Sequence, residues 1–282
     1  MGKAGTEVAA PANAAVAEFE GYEGETGFEN QSQDDISIPF LNVLQSNSPQ
    51  CEDRDSDMKP GDLFNTVTQG AANGVDGGVV FVPSLTEQKF VEWKPQEEGG
   101  GGGKGFIAVH DPSNPMVQKC IAEQDFGKYT SPGGNDLVET FYIYGVLVEG
   151  ENLDQAGDPI CIPIASTKIK HYKKWNTRLS MFTVRTKDGR KQRVPMFAHR
   201  ARLTTVPGKN DKGSYYNISL VPALGEPTPN LVASLVGPDS EVFSSAQAFR
   251  EVVLSGAAKV NHAADNSASS GPVGNDDPDD PF

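Results

Sequence analysis

The sequence predicts a mainly-β protein with one internal helix, one late helix and disordered ends. Three observations predict it. Gly 30 and Pro 20 among 282 residues supply many turns, which suits short strands more than a helix bundle. Runs rich in β-branched and aromatic residues recur along the chain, separated by turn signals. Only two segments carry the three-and-four spacing of an amphipathic helix.

Each element follows in order. Residues 1–33 are Ala, Glu, Gly and Gln with few apolar anchors, and are expected to form a disordered acidic arm. Folded structure is expected over 34–258 as one domain, opening at Ile36-Ser37-Ile38-Pro39-Phe40-Leu41. Lys59-Pro60-Gly61-Asp62 reads as a turn into a strand at 63–67. Residues 79–83 and 89–93 read as two strands. Glu97 to Gly105 is a glycine-rich flexible loop. Residues 137–148 are apolar on both alternations, which marks a long strand buried on both faces and bent at Gly145. A strand at 159–165 precedes a helix at 166–179, where Ile169, Tyr172, Trp175 and Leu179 form one stripe and Ser166 is the expected cap. Lys187-Asp188-Gly189-Arg190 is a hairpin turn between 182–184 and 194–197. Strands at 201–206 and 214–221 follow, then a helix at 241–257. Residues 259–282 turn to Asn, Ser, Gly, Pro and Asp, a disordered acidic tail. This pattern fits an OB-like Greek-key β-barrel with helical elaborations.

The net charge is −14, which taken whole argues against a nucleic-acid partner. Its distribution reverses that. Residues 166–213 hold fourteen Lys and Arg against Asp188 and Asp211, net +12, while every other stretch is acidic. Lys168, Lys170, Lys173, Lys174 and Arg178 lie on or beside the expected helix. Arg185, Lys187, Arg190, Lys191 and Arg193 crowd the hairpin, and Arg200 and Arg202 follow. Tyr172, Trp175, Phe182, Phe197, Tyr215 and Tyr216 are interleaved. Cations that track phosphates and rings that stack bases are the two ingredients of single-strand binding. The expected DNA-binding residues are Lys168, Lys170, Tyr172, Lys173, Lys174, Trp175, Arg178, Arg190, Lys191, Arg193, Phe197, Arg200 and Arg202. Trp175, Tyr172 and Phe197 are the stacking candidates, against the commoner use of a single such ring as a core residue.

The chain ends Asp276-Asp277-Pro278-Asp279-Asp280-Pro281-Phe282. A terminal ring and carboxylate can anchor in an apolar pocket rimmed by cations, with the aspartates steering. The same tail can compete with nucleic acid for the basic groove. This ending resembles the acidic tip of bacterial and bacteriophage single-stranded-DNA-binding proteins, although Asp280 stands where the bacterial pattern has Ile. Ile38-Pro39-Phe40-Leu41-Asn42-Val43-Leu44, Ser166-Thr167-Lys168-Ile169-Lys170 and Lys174-Trp175-Asn176 are similar to the phage-encoded members. The resemblance implies an OB-type core and non-enzymatic strand coating in phage DNA replication, recombination or repair. It further implies recruitment of a polymerase, primase-helicase, recombinase or nuclease through Asp276, Asp277, Asp279, Asp280, Pro281 and Phe282. The host bacterial cytoplasm is the implied location, and a homodimer is compatible with it. The rival reading is a virion or assembly protein whose basic patch meets an acidic partner.

Other chemistries find little support. Gly99 to Gly103 before Lys104 fails the P-loop pattern at Glu98 and Gly105. No GxSxG or HExxH occurs, and Cys51, Cys120, Cys161 and the four His lack zinc-ligand spacing, so neither catalysis nor a cofactor or metal is expected. Three distant Cys suit a reducing compartment. No apolar run approaches the ~20 residues of a membrane helix, and the N-terminus has no secretory pattern.

Overall fold

The computed structural model describes residues 37–53, 56–95, 105–124, 128–151, 153, 157–210, 213–224 and 230–262. In chain order the elements are β1 (Ser37–Ile38), β2 (Leu41–Val43), α1 (Pro49–Glu52), β3 (Leu63–Asn65), β4 (Ala71–Ala72), β5 (Val79–Trp93) and β6 (Phe106–His110). Then come α2 (Pro115–Ala122), β7 (Tyr129–Thr130), β8 (Asp136–Glu149), β9 (Pro159–Ala165), α3 (Ile169–Met181), β10 (Thr183–Arg185) and β11 (Lys191–Arg193). Last are β12 (Ala201–Asn210), β13 (Gly213–Pro222), α4 (Glu241–Leu254) and β14 (Lys259–Val260). The protein is mainly β.

β5 and β8 pair antiparallel over almost their whole length and form the spine. Seven strands build the main sheet in the order β13-β12-β5-β8-β7, with β6 on β5 and β9 on β8. The two strands expected at 79–83 and 89–93 are one strand, because Leu85 to Gln88 stay in the ladder with β8. Pro83 has no N–H to give, and the register shifts between Pro83 and Leu85, opposite Gly145. A Cβ at Gly145 would come within 2.7 Å of the Val82 carbonyl oxygen. The expected irregularity at Gly145 is therefore a bulge in its partner strand.

The sheet is apolar on both faces. β8 gives Ile143 and Leu147 to one core and Tyr142, Tyr144 and Val146 to the other. α3 covers the first face with Tyr172, Trp175 and Leu179. α4 covers the second with Ala246 and Phe249. A smaller cluster joins Val117 and Cys120 of α2 to Phe90 and Leu137. Burying each such large apolar side chain stabilises by about 1.5–3 kcal/mol.

The closed barrel is not found: among the described residues the sheet stays open. Its β9 and β13 edges do not pair with each other, and the first segment bonds to both. Cys161 N–H donates to the Pro39 carbonyl at 2.9 Å, and the Gln45 side chain bonds the backbone of Tyr216. The first is a backbone bond in an isolated parallel bridge, Phe40 with Cys161, and the second is a side-chain link, so neither extends into a ladder between the two edges.

Other differences are local. Ser166 does not cap the helix; it has φ +54 and opens a 3-10 turn, Ser166–Lys168, without a side-chain cap bond. The second hairpin strand is 191–193 rather than 194–197, since Pro195 and a 3-10 turn, Met196–Ala198, take up the latter. α4 ends at Leu254 rather than 257, where Gly256 takes φ +73. The Lys59-Pro60-Gly61-Asp62 turn forms as read, with Gly61 at φ +98 and Asp62 N–H bonded to the Lys59 carbonyl. β6, α2 and β7 occupy a stretch whose short apolar runs announce neither period. The fold also runs past 258: β14 pairs in parallel with β1, and His262 sets its ring against Phe40, Phe106 and Tyr142.

Candidate nucleic-acid interface

The +12 segment folds into a helix and an arm. α3 forms because Tyr172, Trp175 and Leu179 recur at helical spacing and bury against the sheet. That packing turns Lys170, Lys173, Lys174 and Arg178 outward, and all four are exposed. Lys173 Nζ also stands 5.6 Å from the centre of the Phe141 ring, a cation–π contact that tethers it to the surface.

The chain leaves α3 at Met181, which is 75% exposed, and enters the β10–β11 hairpin. Thr183 pairs with Arg193, Val184 with Gln192 and Arg185 with Lys191. All six strand residues are exposed, so the ribbon stands off the body with both faces in solvent. Gly189 at φ +82 makes the turn, closed by Thr186 N–H to the Arg190 carbonyl at 2.9 Å. The arm gathers Arg185, Lys187, Arg190, Lys191 and Arg193. Asp188 offsets one cation, 3.0 Å from Arg190 Nε. Arg185 and Lys187 join the candidate site through this register; the hairpin signal at 187–190 was the available clue.

Several expected contacts fall elsewhere. Trp175 and Tyr172 are each 3% exposed in the first core, and burial pushes the Tyr172 hydroxyl pKa up, with a Thr86 hydrogen bond working against it. Neither ring has a free face for a base. Phe197 is half-buried and meets Phe243 of α4 edge-on at 5.1 Å, on the opposite face of the sheet. Lys168 is 4% exposed, which withdraws it from phosphate contact. Arg202 donates to the Gly77 carbonyl at 3.0 Å and lies 3.9 Å from Glu149, so it is already committed. Arg200 is half-buried with its Nε enclosed. Beside it, burial lowers the His199 pKa to about 4, so that ring adds no charge. Lys170, Lys173, Lys174, Arg178, Arg190, Lys191 and Arg193 remain as an outward cationic set.

Tyr215 and Tyr216, just past the +12 segment, differ from the rings within it. Neither belongs to the three apolar clusters. The Tyr215 ring lies over Gly208, its cross-strand partner, so close that a Cβ there would sit 2.7 Å from Cζ. The Tyr216 ring covers Gly61 in the same way, at 2.6 Å. The expected partner-binding residues Asp276, Asp277, Asp279, Asp280, Pro281 and Phe282 lie outside the described residues.

A family model described as Pam3 phage gp34-like protein matches residues 5–259. The chain belongs to the Pam3 phage gp34-like family. The match spans both cores, α3 and the cationic arm, so the arm is internal to the region shared with the gp34-like family. It makes this a bacteriophage protein by family. No curated protein and no solved structure matches the chain. Among the described residues no group of His, Cys, Asp and Glu is arranged to hold a metal ion, and no helix is long and apolar enough to cross a membrane.

Proposed function

We propose that this gp34-like protein binds single-stranded DNA without sequence preference, as a non-enzymatic component of phage DNA replication, recombination or repair. One observation carries the reading: a β-ribbon whose six strand residues are all exposed carries five cations next to a helix that presents four more, in a chain of net charge −14. Such a surface neutralises phosphates and releases their counterions. The acidic remainder keeps the strand on that one side. The acidic C-terminal sequence then serves to recruit a replication or recombination enzyme. Because Trp175 and Tyr172 are in the core, the reading rests on the cations and no longer on those two rings.

The test is a titration of labelled single- and double-stranded oligonucleotides over a range of salt. About four neutralised phosphates give a slope of log affinity against log salt near −3 for a single strand. A preference for single strands with that slope is the expected result. Equal affinity for both forms defeats the single-strand reading, and absence of binding returns the arm to a protein partner, as in a virion or assembly role.

A further inference from the structure

An aromatic residue in a strand is normally buried in a core or paired with a ring across the ladder. Tyr215 does neither. Its cross-strand partner is Gly208, whose missing side chain leaves a flat patch of backbone, and the ring is laid on that patch. Glycine weakens a strand interior and marks close approach by another group; here the approaching group is the Tyr215 ring. One ring face is thereby backed by β12, and the side chain is only partly covered. No hydrogen bond to the Tyr215 hydroxyl is found among the described residues.

Position ties this ring to the cationic surface. Asn217 lies two residues along β13, on the same side of the strand. Its Nδ2 donates to the Thr167 carbonyl at 3.4 Å, in the 3-10 turn that leads into α3. Tyr215 is therefore one pleat repeat, about 7 Å, beyond the point where β13 meets the head of the basic helix. Lys209, exposed, follows Gly208 directly.

We propose that Tyr215, supported by Gly208, is the base-stacking platform of the nucleic-acid surface. The inference rests on the single-strand reading above and deepens it: phosphates are held by α3 and the arm, and a base lies on the Tyr215 ring. Stacking needs only the flat face of a base, so it tolerates any sequence.

The experiment uses the full chain with two labelled oligomers of equal length, oligothymidine and an abasic deoxyribose-phosphate chain, read by anisotropy. Tyr215→Leu keeps an apolar cover on Gly208 but offers no flat ring. It is expected to weaken oligothymidine binding roughly fivefold or more, the loss of one stacked base, and to leave the abasic oligomer unchanged. Tyr215→Phe is expected to bind as the natural protein does. Unchanged oligothymidine affinity in Tyr215→Leu overturns the platform, as does an equal loss on both oligomers. If Tyr215→Leu does not fold, a fivefold loss in Tyr215→Phe overturns it, because the hydroxyl and not the ring face would then carry the contact. The outcomes separate the two proposals. Natural protein that binds neither oligomer defeats the single-strand reading itself. Natural protein whose binding falls on removal of the arm cations but not in Tyr215→Leu defeats the platform alone.

Discussion

The side-chain amide of Gln45 acts as a strand neighbour to Tyr216. Its Oε1 accepts from Tyr216 N–H at 2.8 Å and its Nε2 donates to the Tyr216 carbonyl at 2.9 Å. Gln45 is 4% exposed, so both bonds are shielded from water. An unpaired sheet edge invites pairing with another chain, and here one glutamine closes it at its middle. Gln45→Leu leaves two backbone groups unpaired, each worth about 1–3 kcal/mol. Chemical denaturation is expected to show a loss of at least about 2 kcal/mol, with faster amide exchange at Tyr216.

Trp175 is a core residue, and its removal acts on stability. Trp175→Ala is expected to cost about 3–5 kcal/mol, seen as a lower melting temperature. Oligonucleotide binding is expected to leave the Trp175 emission unquenched, since a base cannot reach a ring buried under α3.

Glu92 is a buried carboxylate with three side-chain hydrogen-bond partners. Burial alone would raise its pKa, but Ser131 Oγ at 2.6 Å, Asn135 Nδ2 at 2.7 Å and the ring of His110 at 2.8 Å outweigh this and hold it below 4.5. A depressed carboxylate contributes stability that is present above its unfolded value and lost as pH falls through its folded value. Urea midpoints of the natural protein are expected to drop below pH 4.5 more steeply than those of Glu92→Gln. Parallel acid limbs in the two proteins would remove Glu92 from the account.

The arm makes a prediction free of folding effects. Arg185, Lys191 and Arg193 are all exposed, so replacing the three with alanine is expected to change stability by no more than about 0.5 kcal/mol each. If each holds one phosphate, the salt slope for single strands becomes shallower by about 2. The readout is anisotropy at several salt concentrations.

Removing residues 274–282 is expected to tighten single-strand binding at low salt, because four aspartates no longer compete for the cations. The difference between truncated and full chains is expected to vanish at high salt, where such attraction is screened.

How far the sequence reaches depends on range. The two-sided apolar pattern of 137–148 determined a buried central strand, because a strand with both faces covered has no polar alternation to show. The stripe Tyr172, Trp175, Leu179 determined the helix and, with it, which cations face water. Counting charge by segment determined that residues 166–213 oppose the rest of the chain. Only the tertiary structure decided how these parts are used. Whether a ring in a basic segment stacks a base or fills a core depends on what lies opposite it, and for Trp175 that is the main sheet. Tyr215 stays outside the cores because its partner across the ladder is Gly208, a pairing fixed by hairpin register. Whether the sheet closes is likewise a matter of distant edges: β9 and β13 do not pair, Pro39 bonding to one and Gln45 to the other, and no local pattern records that.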